Sequence, residues 1–308
     1  MLKKRIIFLL GPTAIGKSAI AIHLAKKIGA EIISCDSMQL YRAMDIVTAQ
    51  PTLSQRSRVK HHLLGVINPA KEYNVARYRK DAMSICRRLF LKGKIPLFVG
   101  GAGLYYSIIV DGIFPEVSED KLIRSRLFSQ LQLKGNKFMH KRLLKVDPLA
   151  AKKIHPNDTR RIIRALEVYL KTGLSISALQ KKRVGLGKEY EIKIFALNAD
   201  RQMLYDKIDQ RVDKMLNSGL IKEVRQLLKH KLSKTAYCAI GVRELEGYFN
   251  QAYSQDEARR LIQRNSRHYA KRQLTWFRKD RRIQWVNIKA KETRGATAQR
   301  IYKSLFHF

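Results

Sequence analysis

The segment Gly11-Pro12-Thr13-Ala14-Ile15-Gly16-Lys17-Ser18 places two glycines, a lysine and a hydroxyl in the spacing G-x-x-x-x-G-K-S. That spacing suits the binding of phosphate oxygens. Glycines let successive backbone N–H groups turn inward, and a helix starting at Lys17 adds the positive end of its dipole. Lys17 contributes a point charge, and the Ser18 hydroxyl is placed to ligate Mg²⁺. The ligand carries a diphosphate, but the loop does not say which one. A second candidate is Asp36, in Ser34-Cys35-Asp36-Ser37. It follows an expected strand, where parallel sheets gather catalytic groups, yet Asp and Ser are also good helix N-caps, and the residues leave both readings open. Many proteins with such a loop place a Mg²⁺-organising aspartate after a buried strand. Here the run Ile95 to Val99 ends in Gly100-Gly101-Ala102 instead.

These residues need a scaffold, and the pattern around them supplies one. Arg5 to Leu10, Glu31 to Cys35 and Ile95 to Val99 read as short buried strands. Lys17 to Ile28 and Ala76 to Lys92 carry helical apolar stripes that stop at Gly29 and Gly93. Strand and helix in alternation predict a right-handed parallel α/β unit. From 115 to 190 the pattern changes to helical stripes such as Ile162, Ala165, Leu166 and Tyr169. Glu191 to Leu197 returns to strand character, and Trp285-Val286 reads as a last strand, with Trp285 in the core. The expected fold class is α/β, a P-loop NTPase-like parallel sheet core with an inserted all-helical domain. The core would span 1–114 and 191–308, with the basic insertion at 115–190.

The chain has 308 residues, enough to bury a sizeable core, with 62 Lys plus Arg against 25 Asp plus Glu, a formal charge of +37. Such an excess repels itself unless a polyanion shares it, which points first to nucleic acid. The excess is clustered: residues 121–190 hold 18 Lys/Arg and 4 Asp/Glu, and Arg259 to Arg282 hold ten against one. In that second stretch Leu261, Ile262, Tyr269, Trp276 and Phe277 are expected to pack on the core, leaving the basic face to nucleic acid. Cys35, Cys86 and Cys238 lie far apart and read as small buried apolar residues, with no disulfide framework or zinc spacing. Adjacent His61 and His62 would point to opposite faces of a strand, which suits packing rather than metal binding. His155-Pro156-Asn157-Asp158 reads as a turn and helix cap. No apolar run approaches a membrane span, so a soluble cytoplasmic protein without membrane contact is expected; a monomer is a separate expectation that the residues themselves leave open.

Taken in order, the motifs resemble the tRNA dimethylallyltransferase family, also called tRNA isopentenyltransferases. The resemblance rests on Gly11–Ser18, Asp36-Ser37-Met38-Gln39, Tyr41, Met44-Asp45-Ile46, His61-His62-Leu63 and Gly100-Gly101-Ala102-Gly103-Leu104-Tyr105. It continues through Ile154–Asp158, Arg160-Arg161-Ile162-Ile163-Arg164, Gly241-Val242-Arg243 and Ala270–Phe277. It implies transfer of a dimethylallyl group from dimethylallyl diphosphate to N6 of the adenosine 3′ of a tRNA anticodon, position 37. It carries Asp36 over as general base, with Lys17 and Mg²⁺ stabilising the leaving diphosphate and Thr13 and Arg243 as further diphosphate contacts. The same resemblance assigns contacts with the tRNA anticodon stem-loop to Asp36–Gln39, Ala102, Arg124, Arg160–Arg164 and Cys238-Ala239-Ile240-Gly241-Val242-Arg243. Motif labelling alone would name Gly11–Ser18 an ATP site. The chain departs from the usual family pattern at Ala102 for threonine, Val47 for glycine, Gln50 for lysine, Gly65 for aspartate and Val242 for tyrosine. Two rivals follow: a P-loop nucleotide or nucleoside kinase, and a tRNA-binding protein whose catalysis has decayed.

Overall fold

The computed structural model describes residues 3–114 and 117–306, so the expected domain start at 115 lies outside the described residues. Contacts divide the chain into two compact units, 1–110 with 187–308 and Asp111–Leu186.

In the first unit, six parallel strands form one sheet: β1 (Lys4–Leu10), β2 (Ala30–Cys35), β3 (His61–His62), β4 (Ile95–Gly100), β5 (Tyr190–Asn198) and β6 (Gln284–Asn287), in the order β3-β2-β4-β1-β5-β6. Ile6 to Leu10 are fully buried, because β1 runs through the sheet centre with neighbours on both sides and helices over both faces. The chain leaves β1 toward β2 on one side and later reaches β5 on the other, which opens a crevice at the strands' carboxyl ends. Helices α1 (Lys17–Ile28), α2 (Leu53–Arg58), α3 (Val75–Leu91) and α4 (Gly103–Asp111) connect the first strands. α1 packs Ile20, Ala21, Leu24 and Ala25 against the sheet and ends at Gly29, whose positive φ closes the cap.

The second unit holds α5 (Lys121–Val146), α6 (Pro148–Lys153), α7 (Thr159–Thr172) and α8 (Ile176–Lys181). Gly135, at φ 73°, breaks α5 into two helices. Its core joins Leu127, Met139 and Leu143 of α5 to Ile162, Ile163 and Leu166 of α7. The expected turn and cap hold here: Asp158 is the N-cap of α7 and its side chain accepts from Arg161 N–H.

The first unit resumes with α9 (Arg201–Asn217), α10 (Leu220–Leu227), α11 (Lys234–Tyr237), α12 (Val242–Phe249), α13 (Gln255–Phe277) and α14 (Arg294–Phe306). β6 alternates as an edge strand does, with Val286 inside and Trp285 outside; the expectation that Trp285 is core is therefore corrected. Trp276 is also exposed, since the buried stripe of α13 runs through Ala270, Gln273 and Phe277. Among the described residues no helix is long and apolar enough to cross a membrane.

Candidate active site

The loop between β1 and α1 takes the shape its residues require. Gly11, Ala14 and Gly16 have φ of 149°, 62° and 98°, and the two glycines make those turns without strain. Lys17 Nζ donates to the carbonyls of Gly11 at 3.0 Å and Pro12 at 2.7 Å. Burial pulls Lys17 down to about 7, with Arg211 adding repulsion and Asp36 opposing the shift. Thr13 is pinned from two distant helices. Its N–H donates to Gln273 Oε1 of α13 at 2.8 Å, and its hydroxyl accepts from Arg211 Nη1 of α9 at 2.8 Å.

Asp36 begins the loop after β2. No helix starts there: residues 36–50 run as turns and bends, and Asp36 Oδ1 accepts from Met38 N–H at 2.9 Å. The N-cap reading therefore gives way to a turn that leaves the second carboxylate oxygen unpartnered among the described residues. A Cβ on Gly100 would fall 2.0 Å from the Cys35 carbonyl, so only glycine lets β4 end beside β2. Ala102 N–H then donates to that carbonyl at 3.1 Å, which sets the Asp36 and Ala102 loops side by side. Gln273 ties the same region together, donating to the Gly101 carbonyl at 3.0 Å. On the far side of the Asp36 loop, the Glu223 carboxylate of α10 accepts from Ile46 and Val47 N–H at 2.8 to 3.1 Å.

Three cavities adjoin along the Asp36-Ser37 loop: Asp36 lines the first two, and Ser37 lines the second and third. The first, of about 490 Å³, is lined by Thr13, Gly16, Lys17, Ser18, Asp36 and Arg211. The second, of about 300 Å³, shares Asp36 and Arg211 but is walled by Val47, Ile208, Val212, Met215, Ile240 and Ile262. The third, of about 470 Å³, opens past Ser37, Ala102, Tyr105, Tyr269 and Trp276. Trp276 covers Gly103 there, since a Cβ on Gly103 would sit 2.4 Å from its ring. The arrangement thus has an anion cradle, an apolar chamber and an aromatic-lined opening, with one carboxylate shared by the cradle and the chamber.

The match to a family model described as "Isopentenyl transferase" covers residues 4–64, and one described as "IPP transferase" covers residues 39–280. The chain belongs to the IPP transferase family. It is 46% identical to a tRNA dimethylallyltransferase of Thermotoga petrophila, with 90% of each chain covered. With that of Halothermothrix orenii it shares 42%, covering 92% of this chain and 87% of the relative. The crystal structure of a tRNA isopentenylpyrophosphate transferase from Bacillus halodurans superposes with a TM-score of 0.71 at 34% identity, over 98% of this chain and 97% of that one. A eukaryotic dimethylallyltransferase acting on tRNA gives 0.81 at 26% identity, over 97% and 78%.

Within this family frame, several residue assignments change. Arg243 is exposed, its guanidinium lies 4.9 Å from the Tyr237 ring centroid, and its Nη2 donates to Cys238 Sγ at 3.3 Å. It lines none of the three cavities, whereas Arg211, which the sequence reading missed, lines two. Arg211 follows buried Ile208 by three residues and precedes buried Met215 by four, at the edge of a buried stripe, and that position is the signal that could have marked it. Cys238 is exposed rather than buried. The side chains of Ala239 and Val242 are buried at 3% and 0% exposure, so they shape the Cys238–Arg243 segment from within. Ile162 and Ile163 likewise point into the helical core and are withdrawn from any RNA surface.

Arg124 and Arg164 are not free cations. Both flank Glu167, which is fully buried, at 3.0 and 2.6 Å, and Asp120 N–H donates to the same carboxylate at 2.8 Å. Burial pushes Glu167 up, but the hydrogen bonds from Asp120 and Arg164 and the two guanidinium charges outweigh it and hold the group below its ordinary value. Arg160 and Arg161 are exposed. In α13, Arg259 and Arg267 are paired with Asp213 and Asp209 of α9, so only part of the basic stretch Arg259–Arg282 is available to RNA.

Of the departures from the family pattern, Gln50 is buried and structural, donating to the Tyr41 carbonyl and accepting from Arg56. Gly65 has φ 56°, a conformation suited to glycine. Val47 packs beside Gly241, whose added Cβ would lie 3.1 Å from Val47 Cγ2.

Proposed function

We propose that this chain transfers a dimethylallyl group from its diphosphate to N6 of the adenosine beside a tRNA anticodon. The observation that carries the reading is that Asp36 lines both the phosphate cradle and the apolar chamber, while its neighbour Ser37 lines that chamber and the aromatic-lined opening. A diphosphate in the Gly11–Ser18 loop leaves its ester carbon close to Asp36, with the apolar chamber available to a five-carbon tail. The target base, flipped out of its loop, enters by the aromatic-lined opening, where stacking on Trp276 or Tyr105 replaces the stacking it loses.

In the step itself, N6 forms a bond to the ester carbon as the carbon–oxygen bond breaks, and the diphosphate leaves with the bonding pair. The N6 proton passes to Asp36, whose free carboxylate oxygen suits a general base. Lys17 and Arg211 stabilise the charge that develops on the departing oxygens. Arg211 replaces Arg243 in that role. Among the described residues no cluster of three His, Cys, Asp or Glu side chains could hold a metal alone. A Mg²⁺ ion fits the donor set in another way, through Ser18 Oγ and diphosphate oxygens, since this ion favours phosphate and water with few protein ligands. When bound, it would supply further neutralisation of the leaving group. The exposed Arg160 and Arg161, with free cations of the helical unit, supply the contacts with anticodon-stem phosphates.

The test is transfer of label from dimethylallyl diphosphate to unmodified tRNA in the presence of Mg²⁺, beside an ATP-hydrolysis control. Label on the adenosine next to the anticodon, with no ATP required, is the expected result. Phosphate transfer from ATP to a nucleotide would install the kinase reading in its place. Salt-sensitive tRNA binding without label would install the decayed RNA-binding protein.

A further inference from the structure

Outside the three cavities lies a fourth, of about 750 Å³, on the outer side of the Gly11–Ser18 loop. Its cations follow from how α9 distributes charge. On one face, Asp209 and Asp213 are spent on Arg267 and Arg259 of α13. On another, Lys207, Arg211 and Lys214 follow at i, i+4 and i+7, a continuous stripe along the helix. The inner member, Arg211, reaches Thr13. Lys207 and Lys214 have no hydrogen-bond or ion-pair partner among the described residues. Arg294, at the start of α14, is also unpartnered and lies against the loop itself, since a Cβ on Gly16 would be 4.0 Å from its Nε. The acid lining this cavity, Glu292, is already held by Arg300 at 2.9 Å and by Lys289 N–H. Among the described residues no acid neutralises the three cations Lys207, Lys214 and Arg294.

We propose that Lys207, Lys214 and Arg294 form a second anion subsite, which takes the phosphate groups of a diphosphate-bearing substrate before the Gly11–Ser18 loop does. Lys214, Arg211 and Arg294 line both this cavity and the cradle, so an anion held here can pass inward without leaving a cationic surface. Focused positive charge of this kind raises the local concentration of an anionic ligand and its capture rate. The anion site stands on geometry alone; its use in loading a prenyl donor rests on the transferase reading.

Calorimetry with inorganic diphosphate tests the site without requiring activity. The full chain should bind two equivalents, one tight and one weak. Lys17→Met should remove the tight one, and the pair Lys207→Gln with Arg294→Gln should remove the weak one. A single equivalent in the unsubstituted chain, or an unchanged weak phase in the double variant, overturns the proposal. Steady-state transfer then identifies the ligand. The double variant should raise the donor KM by about five- to tenfold, with the effect fading as salt screens it. Lys291→Gln, an exposed cation nearby that does not line the cavity, should leave that KM unchanged. A rise in the tRNA KM instead assigns the subsite to a backbone phosphate of RNA and overturns its loading role. Two equivalents of diphosphate without any transfer would uphold the anion site and remove the transferase reading.

Discussion

The two units of this chain use arginine in opposite ways. In the α/β unit, Arg211 is drawn in beside the phosphate loop, hydrogen-bonded to Thr13 and close enough to Asp36 and Lys17 to shift the lysine. In the helical unit, Arg124 and Arg164 flank the buried carboxylate of Glu167. The first guanidinium has a neutral partner and charge to spare for an anion. The other two are balanced by a carboxylate, Arg124 tying α5 to α7 and Arg164 pairing within α7. A charge of +37 therefore divides into cations committed to folding and cations free to bind, and only the partners of each residue separate the two.

The strongest way to test that division is at Asp36, the single acid lining the cradle and the apolar chamber. Asp36→Asn should lower transfer by about 10²–10⁴-fold, the usual range for a lost general base, while tRNA binding and thermal stability stay as they were. Stability should hold because the amide oxygen can still accept from Met38 N–H. Equal loss of tRNA binding and transfer would make Asp36 a positioning group for the base.

Next come the cations of the cradle. Lys17→Met and Arg211→Gln should each cost about 10²-fold in kcat/KM for the donor, as loss of a charge aimed at a leaving group does. Arg243→Gln should spare that parameter, because its side chain sits over Tyr237. Lys17 also gives a proton signature. Its pKa in the folded chain is about 7, below the ordinary 10.5, so below pH 7 it is already charged and above that it is increasingly neutral. Diphosphate favours the charged form. Binding at pH 8 should thus take up close to one proton more in the unsubstituted chain than in Lys17→Met, and the difference should vanish near pH 6. Calorimetry in buffers of different ionisation enthalpy measures it. The same shift means the unfolded chain binds more protons between about pH 7 and 10.5, so this group's penalty on stability is relieved as pH rises through that window.

How much of this could be read before the fold was known depends on how locally each residue is placed. The phosphate loop is legible because strand, turn and helix are contiguous and the glycines sit where φ turns positive. Asp36 is legible for the same reason, one residue past β2. Arg211, Gln273 and Arg294 are not. They come from helices far along the chain and reach the loop only through tertiary packing, and in the sequence Arg211 sits in a run of alternating charges that looks like a solvated face. Errors at Trp285 and Trp276 have a different source. Residue type argued for burial, while the period of β6 and of α13 turned both rings outward.

In the helical unit the test is Glu167. Glu167→Ala would leave Arg164 without its carboxylate and Arg124 with Glu119 alone, and should destabilise that unit by about 3 kcal/mol, the scale for breaking a buried pair. Hydrogen exchange in Lys121–Val146 and Thr159–Thr172 would localise the loss, with the sheet strands unaffected. Because the folded-state pKa lies below the ordinary 4.5, this contribution is present above that pH and disappears as pH falls through the lower value. An unchanged exchange pattern would mean that the Glu167 cluster does not hold the unit together.

The smallest effect is expected at Ala102. The residue lies on the aromatic-lined opening with Ser37, and its backbone N–H is fixed on the Cys35 carbonyl, so its Cβ is held at that opening, the proposed entry of the base. A hydroxyl there could add one hydrogen bond to a reacting or charged group, worth about 1.5–3 kcal/mol at most. Ala102→Thr should therefore raise kcat by about tenfold, with the donor KM unchanged, because the cradle is untouched. A gain confined to the tRNA KM would place the hydroxyl's contact in binding rather than in the chemical step. No gain would mean that Ser37, on the same wall, already supplies the polar contact, and Ser37→Ala in the threonine background would then reveal it.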